Sequence, residues 1–355
     1  MKSLFLVTCL VGLSACSNSL KPLSGCDSNN ELSVYCGFQN PEDLALTPDG
    51  QALIVSEFGG MTPLADMQSG QLSMFALSSK VKQPLPIVFE SNSWGEADCQ
   101  RDPALPFGPH GIDLVQRDDG RWQLAMVSHV PYESVELFEL TLEETWSLTW
   151  RGCVNAEGNY YFNDVALNTR GGFYATHMFS KATSILEVVW YVLSKVDTGS
   201  VVSWQQERGF EELPFTKGSF PNGIALDHAN SRLVVNYNTG DETVMFDLAN
   251  KDVVGRYHHN SPDNVVIKDG FVWVTNHDHA ATDTFACAKT PNCPLPFSVN
   301  QLSLEDLSLV RSLPFESTNM GTGTVGLPHQ GSLWIGSYHS DRLGQAVFSA
   351  TDLSQ

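Results

Sequence analysis

Residues 43–57 read DLALTPDGQALIVSE, two short apolar runs separated by a turn that contains PDG. An apolar run, a turn and a second apolar run are typical of a β-hairpin, because Pro, Asp and Gly supply the backbone angles that tight turns need. The acidic pair Glu42-Asp43 stands where the first run begins. The segment therefore predicts a hairpin whose first strand is introduced by two carboxylates.

The same unit of apolar run, turn and apolar run occurs five more times along the chain. The further units start at Gly111, Asp164, Gly223, Asn264 and Gly323. Their starts are about 40 to 70 residues apart, a spacing that favours propeller blades over sandwich strands. The sequence therefore predicts an all-β fold, a six-bladed β-propeller that occupies 38–355 as one domain.

Acid or amide pairs stand immediately before the first strand in four of these units. The four pairs are Glu42-Asp43, Asn163-Asp164, Asn222-Gly223 and Asp263-Asn264. Oxygen ligands from Asp, Glu and Asn suit calcium better than zinc or copper. An Asp or Asn at a single such place is often only a turn cap. Four equivalent pairs predict a calcium site in a central tunnel.

The N-terminus has the features of an export signal. Met1-Lys2 is followed by an apolar run over 4–13 and by Leu13-Ser14-Ala15-Cys16, which resembles a bacterial lipobox. An ordinary secretory signal is the alternative. We expect 1–15 to be a lipoprotein signal peptide, Cys16 to carry the lipid and 16–37 to be an anchor or linker. Ser17 after the cysteine favours the outer membrane of a bacterial cell envelope.

The 8 cysteines fit an exported protein. Removing Cys9 and Cys16 leaves an even number, for which disulfides are the default in an oxidising compartment. The remaining candidates are Cys26, Cys36, Cys99, Cys153, Cys287 and Cys293. Two short loops would pair Cys26 with Cys36 and Cys287 with Cys293, although six cysteines permit 15 pairings.

The chain is strongly acidic, with 40 Asp and Glu residues against 20 Lys and Arg residues and a formal net charge of -20. A phosphate backbone would be repelled by this charge, so we expect no nucleic-acid partner. The acidity also suits the solubility of an exported protein.

Several motifs together resemble the paraoxonase (arylesterase/lactonase) family in order and approximate spacing. They are Pro41-Glu42-Asp43-Leu44, Pro109-His110-Gly111-Ile112, Val127-Ser128-His129, Val135-Glu136-Leu137-Phe138, Asn163-Asp164-Val165, Asn222-Gly223-Ile224 and Asp263-Asn264-Val265. Asn-Gly-Ile and Asp-Asn also occur in gluconolactonase-like and strictosidine-synthase-like propellers. His110 in its Pro-His-Gly-Ile context, with His129 on the next strand, is the more specific mark.

The resemblance implies two calcium ions in the tunnel. The family's ligands for a catalytic ion match Glu42, Asn163, Asn222, Asp263 and Asn264 in this sequence. A structural ion would be held by Asp43, Asp164 and the backbone carbonyl of Ile112. Because consecutive side chains on a strand point to opposite sides, adjacent members of one pair can serve two different ions.

The resemblance also implies a calcium-dependent hydrolase of small hydrophobic esters or lactones. Calcium would polarise the carbonyl, and the chain lacks the G-x-S-x-G motif of serine hydrolases. His110 would be the general base and His129 would orient it, with Glu42 as the alternative base and purely structural histidines as a further alternative. The alternative function is a non-catalytic, calcium-stabilised propeller that binds a ligand or protein.

Candidate residues for the substrate wall are Phe107, Trp190, Tyr191, Phe220 and His277. Trp190 and Tyr191 belong to an apolar segment, 184–193, that is too short to span a bilayer; we expect it over the tunnel mouth, with a plain buried helix as the alternative. His277 and His279 could also bind a transition metal. No cysteine near Gln355 matches the terminal disulfide of animal paraoxonases, so closure must rest on strand pairing or other bonds.

Overall fold

The computed structural model describes residues 22–59, 68–287, 292–316 and 318–348. The predicted signal peptide 1–15 and Cys16 lie outside these residues. The regular secondary structure of the described chain is almost entirely β-strand, arranged in six sheets whose innermost strands follow one another in chain order. The prediction of an all-β, six-bladed propeller is confirmed.

We number the blades one to six by their innermost strands. The first strand is β1 (Ser33–Cys36). Blade one consists of β2 (Pro41–Leu46), β3 (Ala52–Glu57), β4 (Gln71–Ala76) and β5 (Val81–Pro84). Blade two consists of β6 (Ile87–Phe89), β7 (Pro109–Gln116), β8 (Trp122–Ser128), β9 (Ser134–Leu142) and β10 (Trp146–Asn155), with β7 innermost and β6 outermost.

Blades three to six follow the same plan. Blade three consists of β11 (Phe162–Leu167), β12 (Phe173–His177), β13 (Gly199–Gln205) and β14 (Gly209–Gly218), with helix α1 (Ile185–Ser194) between β12 and β13. Blade four consists of β15 (Pro221–Asp227), β16 (Arg232–Tyr237), β17 (Glu242–Asp247) and β18 (Val253–His258). Blade five consists of β19 (Pro262–Lys268), β20 (Phe271–His277), β21 (Phe297–Ser303) and β22 (Leu309–Phe315), with helix α2 (Ala281–Cys287) after β20. Blade six consists of β23 (Gly323–His329), β24 (Ser332–Ser337) and β25 (Arg342–Val347), together with β1.

The strands are apolar runs because the blades pack face to face and bury both sides of each sheet. Every residue of β3 is buried, and Ile54 of blade one packs in one cluster with Leu124 and Met126 of blade two. Burial of apolar surface contributes roughly 25 cal/mol per Å². The six interfaces between blades therefore form the hydrophobic core, and the innermost strands are left to carry polar groups towards the axis.

The propeller is closed by its N-terminal strand. Strand β1 pairs antiparallel with β25, from Ser33 opposite Gln345 to Cys36 opposite Arg342. This strand lies within 16–37, the segment predicted as an anchor or linker, so the blades include residues before 38. The propeller is thus closed by strand pairing, one of the means expected from the absence of a terminal disulfide. The described disulfides are Cys26–Cys36, Cys99–Cys153 and Cys287–Cys293.

Each innermost strand contains a β-bulge where the repeat places its site pair. In blade three, Phe162 pairs with His177 and Val165 pairs with Ala175, so two residues of β11 stand opposite one residue of β12. The same shift occurs in all six blades, at Glu42-Asp43, His110-Gly111, Asn163-Asp164, Asn222-Gly223, Asp263-Asn264 and Thr324-Val325. The pairs thus lie inside their strands and not before them, and the bulges set the direction of both side chains.

Helix α1 lies on the surface, with its residues either exposed or half-buried. Ser184 caps its first turn together with Glu187, and none of its residues is buried, so the alternative of a plain buried helix is wrong. The connection that carries it leaves β12 at His177, which pairs with Phe162 at the start of β11. Helix α1 is therefore attached at the same end of blade three as the bulge. No helix among the described residues is long and apolar enough to cross a membrane.

Candidate metal centre

The bulges bring the polar pairs of four blades to the axis of the propeller in a buried position. None of the predicted side-chain ligands is more than 7% exposed. They are Glu42, Asp43, Asn163, Asp164, Asn222, Asp263 and Asn264. Asn264 of blade five donates to Glu42 Oε1 of blade one over 2.8 Å, so residues far apart in sequence meet directly.

Four of the residues predicted to hold the catalytic ion present an oxygen that has no hydrogen-bond partner among the described residues. These oxygens are Glu42 Oε2, Asn163 Oδ1, Asn222 Oδ1 and Asn264 Oδ1, which we call the open set. A buried oxygen without a partner costs free energy, about 1–3 kcal/mol for each group. Several such oxygens, contributed by one carboxylate and three amides, are the donor set that calcium prefers. The residues present therefore fit a calcium ion.

The fifth predicted ligand, Asp263, stands beside a histidine. Asp263 Oδ2 lies 3.1 Å from His277 Nε2. His277 in turn stacks on His279, with ring centroids 5.2 Å apart, while His279 contacts the Pro296 carbonyl. The described residues contain no group of three or more His, Cys, Asp or Glu side chains arranged to hold a metal, so a histidine site is not formed there. Three of the four oxygens of the open set are instead amide oxygens.

Three aspartates on the innermost strands, two of them buried and Asp113 half-buried, differ from the open set because both of their carboxylate oxygens are hydrogen-bonded. We call Asp43, Asp113 and Asp164 the saturated set. Each accepts from the backbone N–H of the next residue and from one N–H in the following blade, on Ile112, Leu167 and Ile224 respectively. The saturated set links blades one to two, two to three and three to four.

Gly111, the second bulge residue of blade two, lets the backbone of β7 lie close to the carboxylate of Asp164. A Cβ added to Gly111 would stand 2.1 Å from Asp164 Oδ1, closer than any side chain tolerates. The backbone of β7 can therefore approach the carboxylate of β11 only because residue 111 has no side chain.

The central carboxylates have raised pKa values, which shows that their charges are poorly compensated by the protein. Burial, with repulsion from Asp43 and Asp263, raises the pKa of Glu42 well above its ordinary value. Burial raises the pKa of Asp43 to about 7 and that of Asp113 to about 6. Burial and the charge of Asp43 likewise raise the pKa of Asp164. No described ion pair joins these four acids to a lysine or arginine, so either protonation or a bound cation would compensate their charges.

A relay of two histidines and a glutamate stands next to the ligands. His110 Nδ1 lies 2.8 Å from His129 Nε2, and His129 Nδ1 lies 2.9 Å from Glu133 Oε2. All three are buried, and His110 Nε2 lies 3.9 Å from Glu42 Oε1. Burial, and then the neighbouring His129, lower the pKa of His110 well below its ordinary value, so its imidazole is neutral at pH 7. The predicted histidines are brought together, and Glu133 is a partner that sequence reasoning missed.

An arc of aromatic rings borders the relay. Phe58 packs on His110 with ring centroids 4.6 Å apart, and His129 stacks on Tyr161 at 4.9 Å. Phe179 continues the arc, 5.3 Å from Tyr161 and 4.9 Å from the predicted wall residue Phe220. Phe58, Tyr161 and Phe179 were not among the predicted wall residues, because each lies in a different connection at a strand end. The arc gives this side of the centre an apolar surface.

The other predicted wall residues lie elsewhere, apart from His277. Phe107 packs against Phe89 and Phe138 under the guanidinium of Arg101, in a cleft of about 600 Å³ between blades one and two. Trp190 is 62% exposed on α1, and Tyr191 on the same helix is half-buried. None of their described ring contacts is with a candidate ligand or with the histidine relay.

Fold and site together define a six-bladed propeller with a buried, oxygen-lined centre. A family model described as arylesterase matches residues 36–338, and the chain belongs to the arylesterase family. Membership confirms the resemblance read from the motifs and supports an esterase-type hydrolase in general terms. No curated protein sequence matches the chain significantly.

Three solved structures illustrate the fold. A luciferin-regenerating enzyme aligns with a TM-score of 0.51 at 12% identity, over 90% of this chain and 96% of that chain. A gluconolactonase from Xanthomonas campestris aligns with a TM-score of 0.50 at 13% identity, over 92% and 94% of the two chains. A glucose dehydrogenase aligns with a TM-score of 0.50 at 12% identity, over 90% and 99%. At such identities the similarity shows the fold alone.

Proposed function

We propose that the protein is a calcium-dependent hydrolase of small hydrophobic carboxylic esters or lactones. The single observation that carries the proposal is the open set, four buried oxygens on the innermost strands of four blades that have no hydrogen-bond partner among the described residues, with a histidine relay beside Glu42. Glu42, Asn163, Asn222, Asp263 and Asn264 would hold the ion. When bound, calcium would supply the positive charge that polarises a carbonyl and stabilises the oxyanion formed when water attacks it.

Hydrogen bonding along the relay favours His110 as the general base. The carboxylate of Glu133 can only accept, so His129 carries its proton on Nδ1 and offers the Nε2 lone pair to His110. His110 then donates from Nδ1, which leaves its Nε2 unprotonated on the side of Glu42. That nitrogen is free to take a proton from water, and Glu133 steadies the imidazolium charge that results.

The aromatic arc supports an apolar substrate. Ring contacts run from Phe58 through the two relay histidines to Tyr161, Phe179 and Phe220. Aromatic walls with a few convergent polar groups are the usual composition of small-molecule sites. The aryl or alkyl part of an ester would rest on these rings while its carbonyl faced the open set. Because a gluconolactonase shares the fold, lactones are a second substrate class to test.

Hydrolysis assays test the proposal directly. A panel of aryl esters and lactones of increasing chain length would be offered to the purified protein with calcium and after chelation, with Phe58→Ala as a variant of the wall. We expect turnover with calcium, loss of turnover after chelation, and a raised KM for aryl esters in Phe58→Ala. Failure of the calcium-loaded protein to hydrolyse any member would refute the hydrolase and favour a calcium-stabilised binding protein.

Two ions are implied by the family resemblance, and we propose the second at Asp43, Asp164 and the Ile112 carbonyl. The support here is electrostatic: Asp43 and Asp164 are buried, and no described ion pair joins them to a lysine or arginine. Its oxygens already accept backbone hydrogen bonds, so the open set gives stronger support to the first ion than to this one. Calcium titration of the protein would show one or two equivalents.

We also propose that the protein is a lipoprotein of the bacterial outer membrane, on the strength of the motif ending at Cys16. Replacing Cys16 with Ser should abolish labelling by a radioactive fatty acid and release the protein from membranes, since acyl chains contribute about 0.8 kcal/mol per buried CH₂. Membrane association that survives this change would point to a second contact, with α1 as the candidate.

A further inference from the structure

The six bulges share a second feature, which lies on the second strand of each blade. In each blade a single residue of the second strand faces the two bulge residues of the first. From blade one to blade six, these bulge-facing residues are Ser56, Val127, Thr176, Asn236, Thr275 and Gly336. Ser56, Thr176 and Asn236 are fully buried, with no exposed surface.

Each of these three polar residues donates to the next blade, and Thr176 Oγ1 also makes a longer contact of 3.4 Å with the Asp164 carbonyl in its own bulge. Ser56 Oγ donates to the His110 carbonyl over 2.5 Å, and Thr176 Oγ1 donates to the Asn222 carbonyl over 2.5 Å. Asn236 Nδ2 donates to the Asp263 carbonyl over 2.6 Å. In every case the acceptor is the first bulge residue of the following blade, and in every case that residue is a candidate base or ligand.

In blade six, a residue at another position makes the equivalent hydrogen bond to the next blade. A Cβ at Gly336 would stand 2.5 Å from the Pro41 carbonyl, so no side chain fits at the bulge-facing position. Thr324, on the neighbouring strand β23, donates instead from Oγ1 to the Glu42 carbonyl over 2.6 Å. Four of the five blades that carry site residues therefore have the carbonyl of their first bulge residue held from the preceding blade. Blade three is the exception, because Val127 has no donor.

We propose that Ser56, Thr176, Asn236 and Thr324 are positioning residues that fix the direction of the base and the metal ligands through their backbone carbonyls. A bulge leaves one residue out of the regular ladder, and its peptide can rotate unless another group fixes it. Rotation of the peptide moves the side chain attached to it. Groups that orient ligands in this way commonly change metal affinity by about 10-fold to 100-fold when removed. This inference rests on the proposed function, because three of the four positioned residues are proposed calcium ligands.

Thr275 provides a matched control within the same chain. It is the bulge-facing residue of blade five, it is fully buried like Thr176 and Thr324, and its Oγ1 has no hydrogen-bond partner among the described residues. The blade that follows it carries no proposed ligand. Replacing Thr275 with Val removes a hydroxyl of the same kind from an equivalent place without removing a bond.

The test compares calcium dissociation constants of the full chain, purified in mild detergent, by competition with a fluorescent chelator. We expect Thr324→Val and Thr176→Val to raise the constant about 10-fold. Thr275→Val should leave it within about 2-fold, and Thr324→Ser, which keeps the hydroxyl, should restore it. The result for Thr324→Val is the simpler of the two to interpret, because Thr176 also accepts a hydrogen bond from the Asp164 amide.

Ser56→Ala provides a second, independent readout. Its partner His110 is not a proposed ligand, so we expect calcium affinity to stay unchanged while kcat falls about 10-fold at constant KM, because a misplaced base costs rate and not binding. Loss of calcium affinity in Ser56→Ala would contradict the inference, because it would mean that removing any buried hydroxyl weakens calcium binding.

The outcomes separate this inference from the function on which it rests. Absence of calcium binding by the wild type would remove the proposed function and the inference with it. Binding by the wild type with an unchanged constant in Thr324→Val and Thr176→Val would overturn the inference alone. Equal weakening by Thr275→Val would also overturn it, since the effect would then come from strand packing. If one valine variant fails to fold, the other decides.

Discussion

The open set and the saturated set both lie on the innermost strands of the blades, but they differ in how many of their oxygens accept a hydrogen bond. Asp43, Asp113 and Asp164 accept a backbone hydrogen bond on both oxygens and join one blade to the next. Glu42, Asn163, Asn222 and Asn264 each have one buried oxygen without a partner among the described residues. Since buried polar groups are normally satisfied, the comparison separates residues that join the blades from residues that we propose to bind calcium.

The largest effect should come from the relay, which belongs to neither set. His110→Gln removes the proposed base but no proposed ligand, so kcat should fall by about 10²-fold or more while calcium affinity and stability stay close to wild type. Steady-state kinetics and calcium titration on the same preparation measure this. Full activity would move the role of base to Glu42, and lost calcium affinity would place His110 among the ligands.

A change in the open set should be the next largest in effect. Asn222→Ala removes a proposed ligand oxygen that has no partner among the described residues, so calcium affinity should fall by roughly 10²-fold while stability in chelator is unchanged or slightly higher. Thermal unfolding in chelator and calcium titration measure the two quantities. A large loss of stability in chelator would show that Asn222 belongs with the residues that join the blades.

The saturated set should respond in the opposite way. Asp164→Ala leaves the backbone N–H groups of Val165 and Ile224 without acceptors, and each such buried group costs about 1–3 kcal/mol. Relief of repulsion with Asp43 offsets part of this, so we expect a net loss of about 2 kcal/mol in chelator, measured by denaturant unfolding. Stability equal to wild type would contradict the structural role of this carboxylate.

The smallest effect should be on the pH dependence of stability. Burial raises the pKa of Asp43 to about 7 and of Asp113 to about 6. Above the unfolded pKa near 4 the unfolded chain loses these protons first, so the folded state binds more protons and stability falls as pH rises towards 7. In chelator the unfolding temperature should decrease from pH 5 to 7.5, and the decrease should be smaller in Asp113→Asn. An equal decrease in the variant would show that other groups set the slope.

The same raised pKa values predict how calcium binding depends on pH. A carboxylate must lose its proton before it can bind the ion, so affinity should weaken as the pH falls below 7 and binding at pH 6 should release protons. Calorimetry in buffers of different ionisation enthalpy counts the protons released.

The sequence predicts most of the fold because each blade repeats one local unit. The hairpins β2–β3, β7–β8, β11–β12, β15–β16, β19–β20 and β23–β24 all correspond to predicted units. The closing strand β1 was assigned to a linker, because SVYC is only four residues long and its partner β25 lies at the other end of the chain. Pairing of that kind leaves no local pattern.

The site was predictable in its residues more than in its geometry. Glu42, Asn163, Asn222 and Asn264 were predicted from motifs, and each has a buried oxygen without a hydrogen-bond partner among the described residues. The bulges could not be read from the sequence, because a bulge is a property of two paired strands. Glu133 was missed since it lies in a connection outside any strand period, although an acid four residues after His129 is the signal that could have identified it.

A crystal structure of the protein grown with calcium would test the central claim most directly, through the anomalous signal of the ion. The account predicts a peak at the axis within about 2.3–2.6 Å of oxygens from Glu42, Asn163, Asn222, Asp263 and Asn264. A centre without an anomalous peak, in which water or a rotated side chain satisfies the open oxygens, would contradict it.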